Sequence, residues 1–196
     1  MAHTDQKNST FELILDTTEQ LIQEKGCRQT TMQDIIDKSG LSKGAIYHYV
    51  SGKDELLGLI LKARVEKLNE RFYGVARSPA NKGIENPLKL IAETVMRDTN
   101  PHDVSSKIFV YLLGQTDNPK AASLLQEVYH FTVDTCCKWI EFGQQSGVIP
   151  REVETEKLAL VFLTFMYGMR VQNTILQSTG KIGVEDVFRV MLRSLQ

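Results

Sequence analysis

Cysteine is scarce in this sequence and poorly arranged for cross-linking: there are only Cys27, Cys136 and Cys137. An odd count with two members adjacent is not a secreted disulfide framework. The adjacent pair also lacks the two-residue spacing of zinc or thioredoxin-like sites. His3, His48, His102 and His130 are scattered, so no metal and no other cofactor is expected. Long apolar runs are missing too. The longest, residues 158–171, follows Lys157 and is interrupted by Arg170, which excludes a membrane span. Residues 1–10 are polar and lack the apolar core of a signal peptide. A cytoplasmic location without membrane contact is therefore expected. No glycine-rich phosphate loop, paired-carboxylate framework or Ser-His-Asp motif is present, which leaves an enzyme without support.

An excess of one charge is also absent. Lys and Arg number 23 against 24 Asp and Glu, for a net charge of -1. Residues 1–62 hold seven Lys or Arg against nine Asp or Glu. A nucleic-acid role must then rest on where the charges sit rather than on their sum.

What is present is helical periodicity. With 42% hydrophobic and 24% charged residues, the chain is an ordinary globular one. Phe11, Ile14, Leu15, Thr18, Leu21 and Ile22 fall on one stripe, with Ser9 and Glu12 at capping-box spacing and Gly26 as a stop. Thr31 can cap a short helix through Ile35 and Ile36, closed by Gly40. Ser42 can cap the next, residues 43–50, and Ser51 with Asp54 reads as a further break and cap. Leu56, Leu57, Ile60, Leu61, Val65 and Leu68 define a longer fourth helix. Residues 74–86 carry local breakers and read as a loop. Asn86-Pro87 then opens a helix, another begins near Asp103, and Asn118-Pro119 precedes a long one ending near Gly147. Helices over 155–173 and 184–195 complete the chain. No strand pattern or repeat appears. The prediction is an all-α protein of about nine helices. Residues 1–53 would form a three-helix helix-turn-helix domain, and residues 54–196 a helical ligand-binding and dimerisation domain.

The second and third helices, joined by a short glycine-containing turn, have helix-turn-helix form. Such a reader turns one face to the major groove and the other to its own core. Ile46 and Val50 can pack inward, while Lys43, Gly44, Tyr47 and His48 point elsewhere. Gly44 is a poor helix former that suits close approach to another surface. Lys43 could reach a guanine edge or phosphate, Tyr47 and His48 backbone or base, and Thr31 and Lys53 phosphates. A plainer reading competes: a Tyr-His-Tyr run suits aromatic packing, and Tyr49 in particular suits the domain seam.

The stretch from Thr31 to Leu57 resembles the amino-terminal signature of the tetracycline-repressor (TetR/AcrR) family. The matching elements are Thr31, the turn Ile35-x-x-x-x-Gly40-Leu41-Ser42, Lys43-Gly44, Ile46-Tyr47-His48-Tyr49 and Lys53-Asp54-Glu55-Leu56. Val50 stands where Phe is frequent and keeps the apolar role. The resemblance covers roughly residues 10–60. It implies a homodimeric repressor of double-stranded operator DNA, released by a small molecule. It further implies that Lys43, Gly44, Ala45, Tyr47 and His48 face the groove, with Thr31, Tyr49 and Lys53 towards phosphates.

Beyond residue 65 the residues speak alone. The 155–173 helix is apolar nearly all round and the last helix is broadly so, which suggests a homodimer through these two C-terminal helices. A monomer with both helices central is the alternative. For a small apolar or aromatic effector, the expected contacts are Met96, Phe109, Leu112, Leu113, Phe131, Trp139, Phe162 and Met166. Tyr111, Gln115, Tyr129 and His130 are the polar candidates. All of these also suit ordinary core; Trp139, a wide ring in a thin helical layer, is the preferred single choice. Against the regulator stand a helical protein-interaction module and, with less behind it, a small-molecule enzyme.

Overall fold

The computed structural model describes residues 2–78, 85–147, 149–179, 182–184, 186–187 and 189–190. Among these there are eight helices and no strands: α1 (Ala2–Gln29), α2 (Met32–Ser39), α3 (Lys43–Tyr47), α4 (Lys53–Ala76), α5 (Glu85–Asp98), α6 (Val104–Leu113), α7 (Pro119–Gln145) and α8 (Thr155–Leu176). The ninth helix expected over 184–195 is helical at its described positions Val184, Asp186, Val187, Arg189 and Val190. Its remaining residues lie outside the described ones, as does the middle of the expected 74–86 loop.

Most boundaries follow the local chemistry. Thr31 and Asp34 form the capping box of α2, and Gly40 ends it in the left-handed region at φ 69°. Ser42 caps α3 by accepting from the Ala45 amide, and Asn118 caps α7 ahead of Pro119. Helix α3 ends at Tyr47 rather than Val50, and three helix starts also differ. The first helix starts at Ala2 rather than after a Ser9 cap, and Gly26, at φ 79° and ψ 165°, breaks it before a final turn. The fourth helix has Gly52 as N-cap, and Ser51 answers Glu55 instead of Asp54: its amide and hydroxyl donate to that carboxylate at 2.7 and 2.6 Å. The fifth starts at Glu85, so Asn86 lies inside the helix and is not its cap.

Two apolar clusters organise the chain. One joins Ile14, Ile22, Ile35, Ile46, Leu57 and Ile60 to Ile108 and Leu112 of α6 and Val128 of α7. The core of the amino-terminal helices is thus continuous with α6, and the expected division at residue 53 falls at the start of α4, inside this cluster. The other gathers Phe72, Val95, Cys136, Trp139, Phe162 and Leu163 between α4, α5, α7 and α8. Gly58 lets α4 and α7 close up, since a Cβ there would overlap the Leu124 side chain.

Candidate nucleic-acid interface and buried cavity

Helix α3 divides as its period requires: Ile46 is buried, whereas Lys43, Gly44 and Tyr47 are exposed, Tyr47 at 42%. Past its end, His48 is exposed and Val50 is buried. Lys43 and Tyr47, one turn apart, stand together with the ammonium 5.6 Å from the ring centroid. A Cβ built on Gly44 would meet nothing within 4 Å. The fold therefore has no steric need of a glycine here, which leaves approach by another molecule as a reason for it. Ala45 lies half-buried at the edge of this face.

The three residues expected to hold phosphates have other partners. Thr31 is exposed, but its amide and hydroxyl donate to Asp34 at 2.7 and 2.6 Å. The Lys25 ammonium at 2.8 Å, with Thr31, holds the Asp34 carboxyl down to about 2. Tyr49 follows the end of α3 and turns back to stack on Phe11, ring centroids 5.4 Å apart. Lys53 is half-buried, donates to the Cys27 carbonyl at 2.9 Å and lies 5.0 Å from the Tyr111 ring centroid. It thereby ties the start of α4 to α1 and α6.

A cavity of about 70 Å³ lies deeper, between α4, α5, α6, α7 and α8. Phe109, Trp139, Phe162 and Met166 line it. The other four expected contacts are elsewhere: Leu112 is buried in the amino-terminal cluster, Met96 and Leu113 are exposed, and Phe131 is half-buried away from the cavity. On α6, Ile108 and Leu112 pack into the first cluster, whereas Phe109 stacks on Tyr167 of α8. None of Tyr111, Gln115, Tyr129 and His130 reaches the cavity either. Its polar lining instead includes Arg64, Asp98, Tyr167 and Arg170, none of which the sequence reading selected.

These groups are electrostatically joined. Arg64 binds Glu19 of α1 through Nε at 3.1 Å and Nη2 at 2.7 Å, and Asp103 at the start of α6 through Nη1 at 3.0 Å. Asp98 at the end of α5 lies 3.8 Å from the same guanidinium. Burial opposes the Arg64 charge, but Glu19, Asp103 and Asp98 hold its pKa above the ordinary value. Burial raises Asp98, with Arg97 and Arg64 pulling the other way. The cavity wall is in this way tied to the helix that carries the amino-terminal core. The cysteines stay outside such chemistry: burial pushes Cys27 up to about 11 and Cys136 to about 12, so neither supplies a thiolate.

Comparison with known proteins places the amino-terminal segment. Residues 14–60 match the family model of the bacterial regulatory proteins, tetR family. These residues form a TetR-family amino-terminal domain. The matched stretch contains the whole of α2 and α3. Among curated relatives, the transcriptional repressor KstR2 of Mycobacterium tuberculosis is 32% identical over 76 residues, 39% of this chain and only 38% of KstR2. The chain thus covers well under half the length of that relative. YfiR of Bacillus subtilis, an HTH-type transcriptional regulator, is 22% identical across 94% of this chain and 88% of its own. A TetR-family regulator from Syntrophomonas wolfei superposes with a TM-score of 0.68 at 19% identity, covering 95% of this chain and 93% of that one. The last likeness speaks for the fold. No helix among the described residues is long and apolar enough to cross a membrane.

Proposed function

We propose that this protein is a cytoplasmic, homodimeric repressor that reads a palindromic operator with α3 and leaves it when a small molecule enters the cavity. The observation that carries the reading is the face of α3. Lys43, Tyr47 and His48 are exposed around a glycine with open space above it, while Ile46 and Val50 anchor the helix from behind. Lys43 offers a cation to a guanine edge or a phosphate, and Tyr47 and His48 offer donors to backbone or base. Thr31, Tyr49 and Lys53, given their partners, hold this face in position.

A second copy suits the exposed side of α8, where Val161, Phe165, Val171 and Ile175 form an apolar stripe, with Ile175 75% exposed. Light scattering should give twice the 22.2 kDa of one chain. A monomer at all concentrations contradicts the dimer.

The cavity supports the release step. At about 70 Å³ it is smaller than the roughly 150 Å³ that admits benzene in an engineered core. Its guest must therefore part the surrounding helices, among them α6 and α8, where Phe109 and Tyr167 stack with centroids 4.9 Å apart. A ligand that binds better to the opened arrangement shifts the population towards it. Arg64 and Lys53 carry the displacement to α1 and α4. The test is operator binding by fluorescence anisotropy. Tyr47→Ala and Lys43→Ala should each weaken it about tenfold or more, as loss of a base or phosphate contact requires, without lowering helicity. Unchanged binding in both refutes this reading face.

A further inference from the structure

Arg170 is a buried cation with donors to spare. It is 8% exposed and lines the cavity on the same face of α8 as Phe162 and Met166, which precede it by two turns and one. Its Nε donates to the Asp98 carbonyl at 3.3 Å, and its guanidinium lies 4.8 Å from the centroid of the Phe109 ring. Neither contact uses the four N–H groups on the two terminal nitrogens. The neighbouring carboxylates are engaged with other cations: Asp98 with Arg97 at 3.2 Å and Arg64 at 3.8 Å, Asp103 and Glu19 with Arg64 at 3.0 and 2.7 Å. No carboxylate among the described residues forms an ion pair with Arg170. Burial works against its charge, yet a guanidinium keeps its proton at any physiological pH. A buried cation of this kind is stabilised by an anion able to match its fork.

We propose that the effector is an amphiphilic monoanion, an aromatic or aliphatic carboxylate. Its two oxygens accept from the terminal N–H groups of Arg170, and its apolar body lies among Phe109, Trp139, Phe162 and Met166. The inference rests on the cavity being the effector site and names the chemistry of its guest. A single negative charge fits because Arg64, the other arginine in the lining, is already held by Glu19 and Asp103. A dianion such as a phosphate monoester would bring charge that nothing in the wall balances. The position also couples to release. Drawing Arg170 onto a carboxylate loosens its bond to the Asp98 carbonyl, at the α5–α6 turn where Asp98 and Asp103 meet Arg64.

Trp139 is the sole tryptophan and lines the cavity, so its fluorescence reports entry directly. The full chain is titrated at pH 7.5 with 3-phenylpropionate and octanoate, and with their neutral amides. Each acid should bind roughly tenfold to a hundredfold tighter than its amide, the range of a hydrogen bond to a charged group. Arg170→Met should abolish that preference, bringing the affinity of each acid down to that of its amide. Arg170→Lys, which keeps the charge without the fork, should retain a reduced preference and serves if Arg170→Met fails to fold. The inference is overturned if no acid perturbs Trp139, if acids bind no better than amides, or if the preference survives Arg170→Met. Operator anisotropy in the same titrations separates the two ideas. Release by amides but not acids overturns the carboxylate and keeps the effector reading. Acids that bind through Arg170 and leave the operator bound overturn the release reading and keep the carboxylate.

Discussion

Replacing Arg64 by Met should weaken the fold in a pH-dependent way. The side chain lies where α4 meets α1, α5 and α6, and Met keeps its aliphatic stem while removing the guanidinium. Three carboxylates then lose their common cation. The Asp98 and Asp103 side chains are only 17% and 15% exposed. Removing one partner of a buried ion pair costs about 3–5 kcal/mol. The more exposed Glu19 arm contributes less, because water screens it. A loss of about 2–4 kcal/mol near pH 7.5 follows from these two principles.

The pH dependence has a definite sign. Burial already holds the Asp98 carboxyl above its ordinary value, and Arg64 is one of the groups pulling it down. Without Arg64 its pKa rises further. A carboxyl whose folded pKa exceeds its unfolded one adds stability below the unfolded value and loses it as pH rises through the folded value. The penalty of Arg64→Met should therefore shrink towards pH 5 and be largest at pH 7–8. Urea denaturation at fixed protein concentration, followed by Trp139 fluorescence and far-ultraviolet circular dichroism across this range, measures it. A Glu19→Gln background should show coupling of about 1 kcal/mol in a double-mutant cycle. A penalty below about 0.5 kcal/mol, no more than an ordinary surface substitution, or one that grows on acidification refutes the reasoning.

Three further outcomes are expected. Gly44→Ala should raise the melting temperature, because alanine is favoured over glycine by up to about 1 kcal/mol in a helix, and should weaken operator binding several-fold; wild-type binding contradicts the close approach. Lys53→Met should cost about 1–2 kcal/mol in denaturant titrations by losing the Cys27 carbonyl, and leave the salt dependence of DNA binding unchanged, whereas Lys43→Met should lower that slope by about one; a slope reduced by Lys53→Met would return this lysine to the phosphates. Thr31→Ala should cost about 1 kcal/mol in thermal melts and Thr31→Ser far less, since serine can complete the same cap; equal losses contradict the capping account.

The exposed face of α3 was legible because a single helical turn decides it: residues four apart fall on one face, which sends Ile46 inward and Lys43 and Tyr47 outward. The regular pattern ends with the helix. Tyr49 follows His48 in sequence, but α3 stops at Tyr47 and the chain turns, so Tyr49 lands on Phe11. The anchor of Lys53 had no signal at all, since its partner is a backbone carbonyl 26 residues away. As candidates for the cavity, Phe109 and Leu112 look alike in sequence, and only the tertiary packing of α6 separates them: Leu112 enters the first cluster and Phe109 stacks on Tyr167. Arg170 did leave a trace. It interrupts an apolar run and shares a four-residue spacing with Phe162 and Met166, a pattern that also marks a charge on an inward helical face. Its neighbours Asp98 and Arg64 come together only through the tertiary fold.

Selection of bound sequences from a random duplex pool tests the central claim most directly, with wild type and Tyr47→Ala run side by side. Wild type should enrich an inverted repeat whose half-sites lie about one helical turn, or a multiple of it, apart, as two heads on a two-fold axis require. Tyr47→Ala should lose that enrichment while remaining folded. A pool that stays random with the wild-type protein, or the same repeat enriched equally by Tyr47→Ala, contradicts α3 as the reader.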